Sequence, residues 1–179
     1  MDEELLSRQQ PQSLEAEQAV LGSILIDSRC ITDVVGIVKP EDFYLQQNRE
    51  IYEAIYTMFN FSQTIDPVTV LDKLKELGYY HDNSRDYILQ LMEITPTAAN
   101  VARYAAIVQE KSMLRGLNQA ATDIQQMVSE EVGTPAEMLE SAEKKIYALR
   151  KGERGDSLEH IGTTLHKVFD RLTELSQSD

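Results

Sequence analysis

Three histidines, one cysteine and eight tyrosines are the side chains of this 179-residue protein best suited to ligate, exchange protons or stack. His81, His160 and His166 stand apart, with no cysteine partner and no glutamate three residues ahead. That spacing supports neither a zinc site nor a di-iron helix motif. Cys30 is alone, so no intrachain disulfide can form. No GxxxxGK[ST] phosphate loop and no GxGxxG run occurs, so these residues are not expected to hydrolyse ATP. A helical enzyme with a hidden carboxylate site is a further reading, and the missing Glu-x-x-His spacing counts against it. The numerous acids read as solvated helix faces. Tyr44, Tyr52, Tyr56, Tyr79, Tyr80, Tyr87, Tyr104 and Tyr147 could stack bases, but with little positive charge around them they read as core or interface anchors. No catalytic, cofactor-binding or metal-binding residue is assigned.

Charge narrows the function classes further. Thirty acidic and 17 basic residues leave a net charge of −13. A chain that holds nucleic acid unaided usually carries a basic stripe. Here the one small basic cluster is Lys144, Lys145, Arg150, Lys151 and Arg154. The chain is expected to touch DNA weakly or through a larger assembly. No run of eighteen apolar residues is present, and MDEELLSRQQ lacks a secretory layout, so no membrane role and a cytoplasmic location are expected.

The elements that must position these residues all read as helices. PQSLEAEQAVLGSILID (11–27) opens with Ser13 as a cap and Glu15 and Glu17 on the first turn, where the helix dipole favours negative charge. Leu14, Val20, Leu21, Ile24 and Leu25 then form one apolar face. A short helix is expected over 31–38 and an aromatic turn at PEDFY (40–44). Helices follow over 48–59, from Asp66-Pro67 to a Gly78 cap, and over 86–94. From about Ala98 to Glu131 there is no proline, and Ile107, Leu114, Ala121 and Val128 recur every seven residues with Leu117 and Ile124 between them. Gly133 and the capping box at Thr134 to Glu137 start a second helix over 135–151, with Met138, Leu139, Ala142, Ile146 and Leu149 on its seam. A short turn between two matched amphipathic helices predicts an antiparallel hairpin. After KGERGDS (151–157), Leu158, Ile161, Leu165, Val168, Phe169, Leu172 and Leu175 line one face of a last helix. That stripe either folds back on the same domain or docks on another subunit. The flexible linker favours docking.

The wording of several segments is more specific than their periodicity. EAEQAVLGSIL (15–25), PEDFY (40–44), REIYEAI (49–55), IDPVTV (65–70) and TPTAANVARYAAIVQEKSMLR (95–115) stand in the order of the N-terminal domain of bacterial DnaB-type replicative helicases, and the chain resembles that family over roughly residues 11–150. Two departures are Asn48, where the family often has His, and NSRDYIL (83–89), where a Gly-Gly pair is common. The resemblance implies an all-α fold: a helical head (11–96) after an N-terminal tail (1–10), a long antiparallel hairpin (97–151), and a linker with its helix (152–179). The ATP- and Mg-dependent motor would lie beyond these residues.

The same resemblance implies an assembly role in DNA replication, with primase, a helicase loader and a neighbouring motor domain as partners. Self-association would run through dimers into a trimer-of-dimers collar in a hexamer. Ile107, Leu114, Leu117, Ile124, Val128, Met138, Ala142, Ile146 and Leu149 would form the hairpin seam. Tyr87, Asn118 and Gln125 would face primase, and Leu158, Ile161, Leu165, Phe169 and Leu172 would dock the linker helix. The alternative is the helicase-binding C-terminal domain of a primase, which shares a head-and-hairpin plan.

Overall fold

The computed structural model describes residues 10–153, and no strand occurs among them. Six α-helices follow one another: α1 (Leu14–Ile26), α2 (Gln46–Asn60), α3 (Pro67–Leu77), α4 (Ser84–Glu93), α5 (Val101–Ser129) and α6 (Pro135–Glu153). The chain divides into two compact units, Met1–Gly116 and Leu117–Asp179. The division falls inside α5 and not ahead of it. The reason is visible in the core: Val101, Ala105 and Val108 of α5 are buried with the head helices, and Ile107 packs against the same cluster.

Local chemistry sets several helix ends. The Ser13 hydroxyl accepts from the Ala16 N–H at 3.4 Å and starts α1. Asp66 accepts from the N–H groups of Val68 and Thr69, and Thr69 Oγ1 accepts the Asp66 N–H in return at 3.0 Å. At the other end of α3, Gly78 adopts φ 77°, a left-handed conformation that a Cβ disfavours. The N–H of Tyr79 reaches Leu74 O and that of Gly78 reaches Lys75 O, the paired bonds of a Schellman turn. One expected helix is absent. Residues Ser28–Asp33 form a 3₁₀ helix, followed by turns to Ile37. Asp27 caps Arg29 N–H at 3.1 Å and starts that tighter turn. Ile31, Val34 and Val38 are buried, so the segment follows the core beneath it more than the weak helix propensity of its β-branched residues and Gly36.

In the head, Val20, Leu21, Ile24 and Leu25 of α1 share one core with Ile51, Tyr52 and Ile55 of α2, Leu74 of α3 and Ile88 and Leu91 of α4. Each such fully buried side chain contributes roughly 1.5–3 kcal/mol of transfer free energy. Phe43, from the aromatic turn, stacks on Tyr52 with ring centroids 4.6 Å apart, and the Tyr52 hydroxyl donates to Val38 O at 3.1 Å. Gly22 lets α1 approach α4 closely. A Cβ there would collide with Thr95 Oγ1 and with the Leu91 carbonyl, the two groups that already share a hydrogen bond of 2.8 Å.

The most consequential buried polar group is Glu17, 1% exposed. Expected on a solvated first turn, it instead points into the head. Its carboxylate accepts from the backbone N–H of Tyr44 (2.6 Å) and Leu45 (3.3 Å) and from Asn48 Nδ2 (2.9 Å). The negative charge therefore sits at the start of α2, where the helix dipole stabilises it. Asn48 passes the network on: its Oδ1 accepts from the Tyr87 hydroxyl at 2.6 Å, and that hydroxyl accepts from Gln18 Nε2 at 3.3 Å. From α5, Arg115 donates to Pro11 O at 2.9 Å and to Asp42 O, and Ser112 Oγ donates to Asp42 Oδ1 at 2.6 Å. Burial lowers the Arg115 pKa, while the Glu17 and Asp42 carboxylates work against that shift.

Two outcomes follow in denaturant unfolding. Gly22→Ala is expected to destabilise by about 2 kcal/mol, the usual cost of overpacking a close helix crossing. An unchanged midpoint would mean that α1 and α4 separate freely. Glu17→Ala is expected to cost about 3 kcal/mol by stranding buried donors, and Glu17→Gln about half of that, since one carbonyl oxygen remains. Equal stability of the three proteins would show that the carboxylate is not a structural acceptor.

Candidate functional site

Among the described residues, Cys30 and His81 are the cysteine and the histidine best suited to reaction chemistry. Burial, reinforced by Asp27 and Asp33, pushes the Cys30 thiol up to about 11, so it is protonated at neutral pH and a poor nucleophile. His81 Nε2 lies 3.1 Å from Glu50 Oε2, and Glu50 also accepts from Gln46 Nε2 at 2.9 Å. Among the described residues, no group of three or more His, Cys, Asp or Glu side chains is arranged to hold a metal ion. No described helix is long and apolar enough to cross a membrane.

What the described residues do present is apolar surface on helices. In the unit from Leu117 onward, the chain turns back after α5. Glu131 (φ 50°) and Gly133 (φ 90°) both take left-handed backbone. The reciprocal Thr134–Glu137 cap then starts α6: Glu137 Oε2 accepts the Thr134 N–H at 2.7 Å, and Thr134 Oγ1 accepts the Glu137 N–H at 3.4 Å. The Thr134 N–H and then its hydroxyl, both donating to Glu137 Oε2, lower the Glu137 pKa. Lys145 Nζ reaches Asp123 Oδ2 at 2.7 Å, so α6 returns beside the distal part of α5. The pair lowers the Asp123 pKa, chiefly through the Lys145 hydrogen bond.

The seam differs in detail from a strict seven-residue reading. Burial on distal α5 follows Ala120, Asp123, Ile124 and Met127, whereas Leu117 and Val128 are exposed. On α6 it follows Met138, Ser141, Ala142, Lys145 and Leu149, with Ile146 39% exposed. Ile107 and Leu114 lie in the head unit, Ile107 against its core and Leu114 exposed. A straight α-helix drifts against a seven-residue repeat, so one stripe cannot stay on one side for three heptads. Ala120, Met127 and Ser141 carry contact that the repeat assigned to larger neighbours. Short side chains and an ion pair close this helix pair, and Leu117, Val128, Leu139 and Tyr147 remain outward.

Asn118 and Gln125 are exposed, seven residues apart on α5. Tyr87 is half-buried and committed to Asn48 and Gln18; its hydroxyl pKa is raised, chiefly by burial. Tyr87 belongs to the first unit, and Asn118 and Gln125 belong to the second. Leu158, Ile161, Leu165, Phe169 and Leu172 lie outside the described residues, as does the 1–9 stretch. The role of Glu17 escaped sequence reasoning although a signal existed: Glu17 falls on the same helical stripe as Val20, Leu21 and Ile24, and an acid inside an apolar stripe demands a buried partner.

With this geometry in hand, likeness to known proteins is informative. Replicative DNA helicase DnaB of Leifsonia xyli subsp. xyli is 36% identical over 143 residues, covering 79% of this chain and 31% of that protein. The DnaB helicase of Geobacillus stearothermophilus is 33% identical over 185 residues, covering 100% of this chain and 40% of the relative. The chain thus spans about a third to two fifths of the length of these relatives. The crystal structure of the N-terminal domain of DnaB helicase from Mycobacterium tuberculosis superposes with a TM-score of 0.74 at 36% identity, covering 78% of this chain and 99% of that one. A DnaB-like replicative helicase, described together with its interactions with primase, shares the fold with a TM-score of 0.62 at 21% identity. Residues 9–110 match the family described as the DnaB-like helicase N terminal domain; the all-helical chain, with its EAEQAVLG opening and its long fifth helix, belongs to that family.

Proposed function

We propose that this chain is the assembly and partner-recruiting part of a replicative DNA helicase, acting in DNA replication as a scaffold. The observation that carries the reading is the combination of family membership with outward apolar side chains on a returning helix pair, among them Leu117 and Val128. Exposed large apolar residues clustered on one element are a common mark of protein–protein contact. Heads and helix pairs would associate first into dimers, and the dimers into a threefold collar within a hexamer. Primase would engage the helix pair through Asn118 and Gln125, with Tyr87 at the edge of its footprint. A helicase loader would use the same collar. ATP and Mg would serve the motor domain of the parent protein, and DNA would be held by the complete ring. Leu158, Ile161, Leu165, Phe169 and Leu172 would dock on the adjacent motor. The fold shared with a helicase described with primase supports this assignment.

Sedimentation equilibrium checks the assembly arm: the chain should self-associate reversibly, and Leu117→Asp with Val128→Asp should return it to a monomer with unchanged helicity. A wild-type chain that stays monomeric at high concentration would overturn that arm. For recruitment, titration with the helical C-terminal domain of primase should give saturable binding, weakened roughly tenfold, about 1.4 kcal/mol, by Asn118→Arg with Gln125→Arg. Equal binding by the wild type and the double variant would remove those residues from the interface.

A further inference from the structure

In the head, α1, the end of α4 and the start of α5 enclose a pocket of about 270 Å³, with Glu15, Gln18, Ile94, Pro96, Thr97 and Tyr104 in its wall. Small-molecule sites run to roughly 300–1,000 Å³, so a pocket below that range suits a single side chain of a partner. Ile94 is 49% exposed, which leaves the site reachable from outside. No lysine, arginine or histidine lines it among the described residues. α4 ends there at Glu93 with no basic residue in its last turn, so no side chain of that turn neutralises the negative end of its dipole.

The polarity of this pocket is set from the core. Three donors converge on the buried Glu17 carboxylate, among them Asn48 Nδ2 at 2.9 Å. Asn48 therefore turns its Oδ1 the other way, where it accepts from the Tyr87 hydroxyl at 2.6 Å. A hydroxyl that spends its one proton there meets Gln18 as an acceptor, and it takes Nε2–H at 3.3 Å. The planar Gln18 amide is thereby held with its carbonyl Oε1 turned away from Tyr87. Glu15 stands three residues earlier, beside Gln18 on the same helix face, and adds a carboxylate to the acceptors. We propose that the pocket takes the arginine side chain of a partner protein's basic segment, its guanidinium donating to Glu15 and to Gln18 Oε1. The planar fork offers several N–H groups to two neighbouring acceptors, a match that a lysine ammonium makes less well. The Tyr104 ring favours a cation over a neutral donor. The net charge of −13 attracts basic segments and repels nucleic acid. The pocket belongs to the first unit alone, so its occupation needs none of the assembly contacts proposed above.

The test is a titration of the full 179-residue chain, carrying isotope-labelled isoleucine δ1 methyl groups, with Nα-acetyl-arginine methylamide. The Ile94 methyl should shift saturably, while that of Ile26, 43% exposed at the other end of α1, stays in place. The citrulline counterpart has the same shape without the charge and should bind roughly fivefold more weakly, as should arginine to Glu15→Gln. Tyr87→Phe releases the Gln18 amide to turn and should weaken arginine binding about threefold, the scale of one lost hydrogen bond, with helicity unchanged. No saturable shift at Ile94, or equal binding of arginine and citrulline, would overturn the proposal. A norleucine counterpart that binds as well as arginine would overturn it too, by giving the pocket to an apolar side chain. Equal arginine binding by Tyr87→Phe and the wild type would overturn the part played by the buried network.

Discussion

The head depends on one buried carboxylate. Glu17 sits within the apolar face of α1, and its charge would be costly there without partners. It is tolerated because two backbone N–H groups ahead of α2 and the amide of Asn48 converge on it. Those donors would otherwise be stranded by the same burial. The arrangement fixes the start of α2, and through α2 the stack of Phe43 on Tyr52. Asn48 then carries the network to Tyr87 on α4 and Gln18 on α1, so that three helices are registered by polar contacts beneath an apolar core. Such a network specifies one arrangement where apolar packing alone would accept several.

α5 runs through both compact units. Its first half is core, and Arg115, near the end of that half, holds the backbone of Pro11 and Asp42. Gly116 follows, and from Leu117 onward the helix belongs to the second unit. There the stabilising contacts change character. A small residue, a methionine and a partly exposed ion pair replace the dense cluster of the head. An ion pair exposed to that degree is screened by water and contributes little to stability. The outward apolar side chains of this unit, Leu117, Val128, Leu139 and Tyr147, therefore add little to its own packing.

Much of this was legible residue by residue. Ser13, Asp66-Pro67, Gly78 and the Thr134–Glu137 pair mark helix ends, because capping is satisfied within a few residues of chain. The all-helical class followed from apolar spacing, and the family from wording at 15–25 and 95–115. The 3₁₀ segment at Ser28–Asp33 was not legible as such: periodicity shows which residues are buried, and the core beneath them selects how tightly the backbone winds. The seam was legible only in outline, because seven-residue counting ignores the drift of a straight helix.

The sequence alone marks several helix ends, which stripes are apolar, which chemistries have no motif, and which family the chain resembles. Only the tertiary structure decided that Glu17 is buried, that Asn48 bridges it to Tyr87, that Gly22 is a contact point with Leu91 and Thr95, and that α5 is shared between two units. The physical reason is distance along the chain. Caps and periodicity are satisfied by neighbours three or four residues away. The partners of Glu17, Gly22 and Arg115 lie 27 to 104 residues away, and a pairing over that separation exists only once the helices have met.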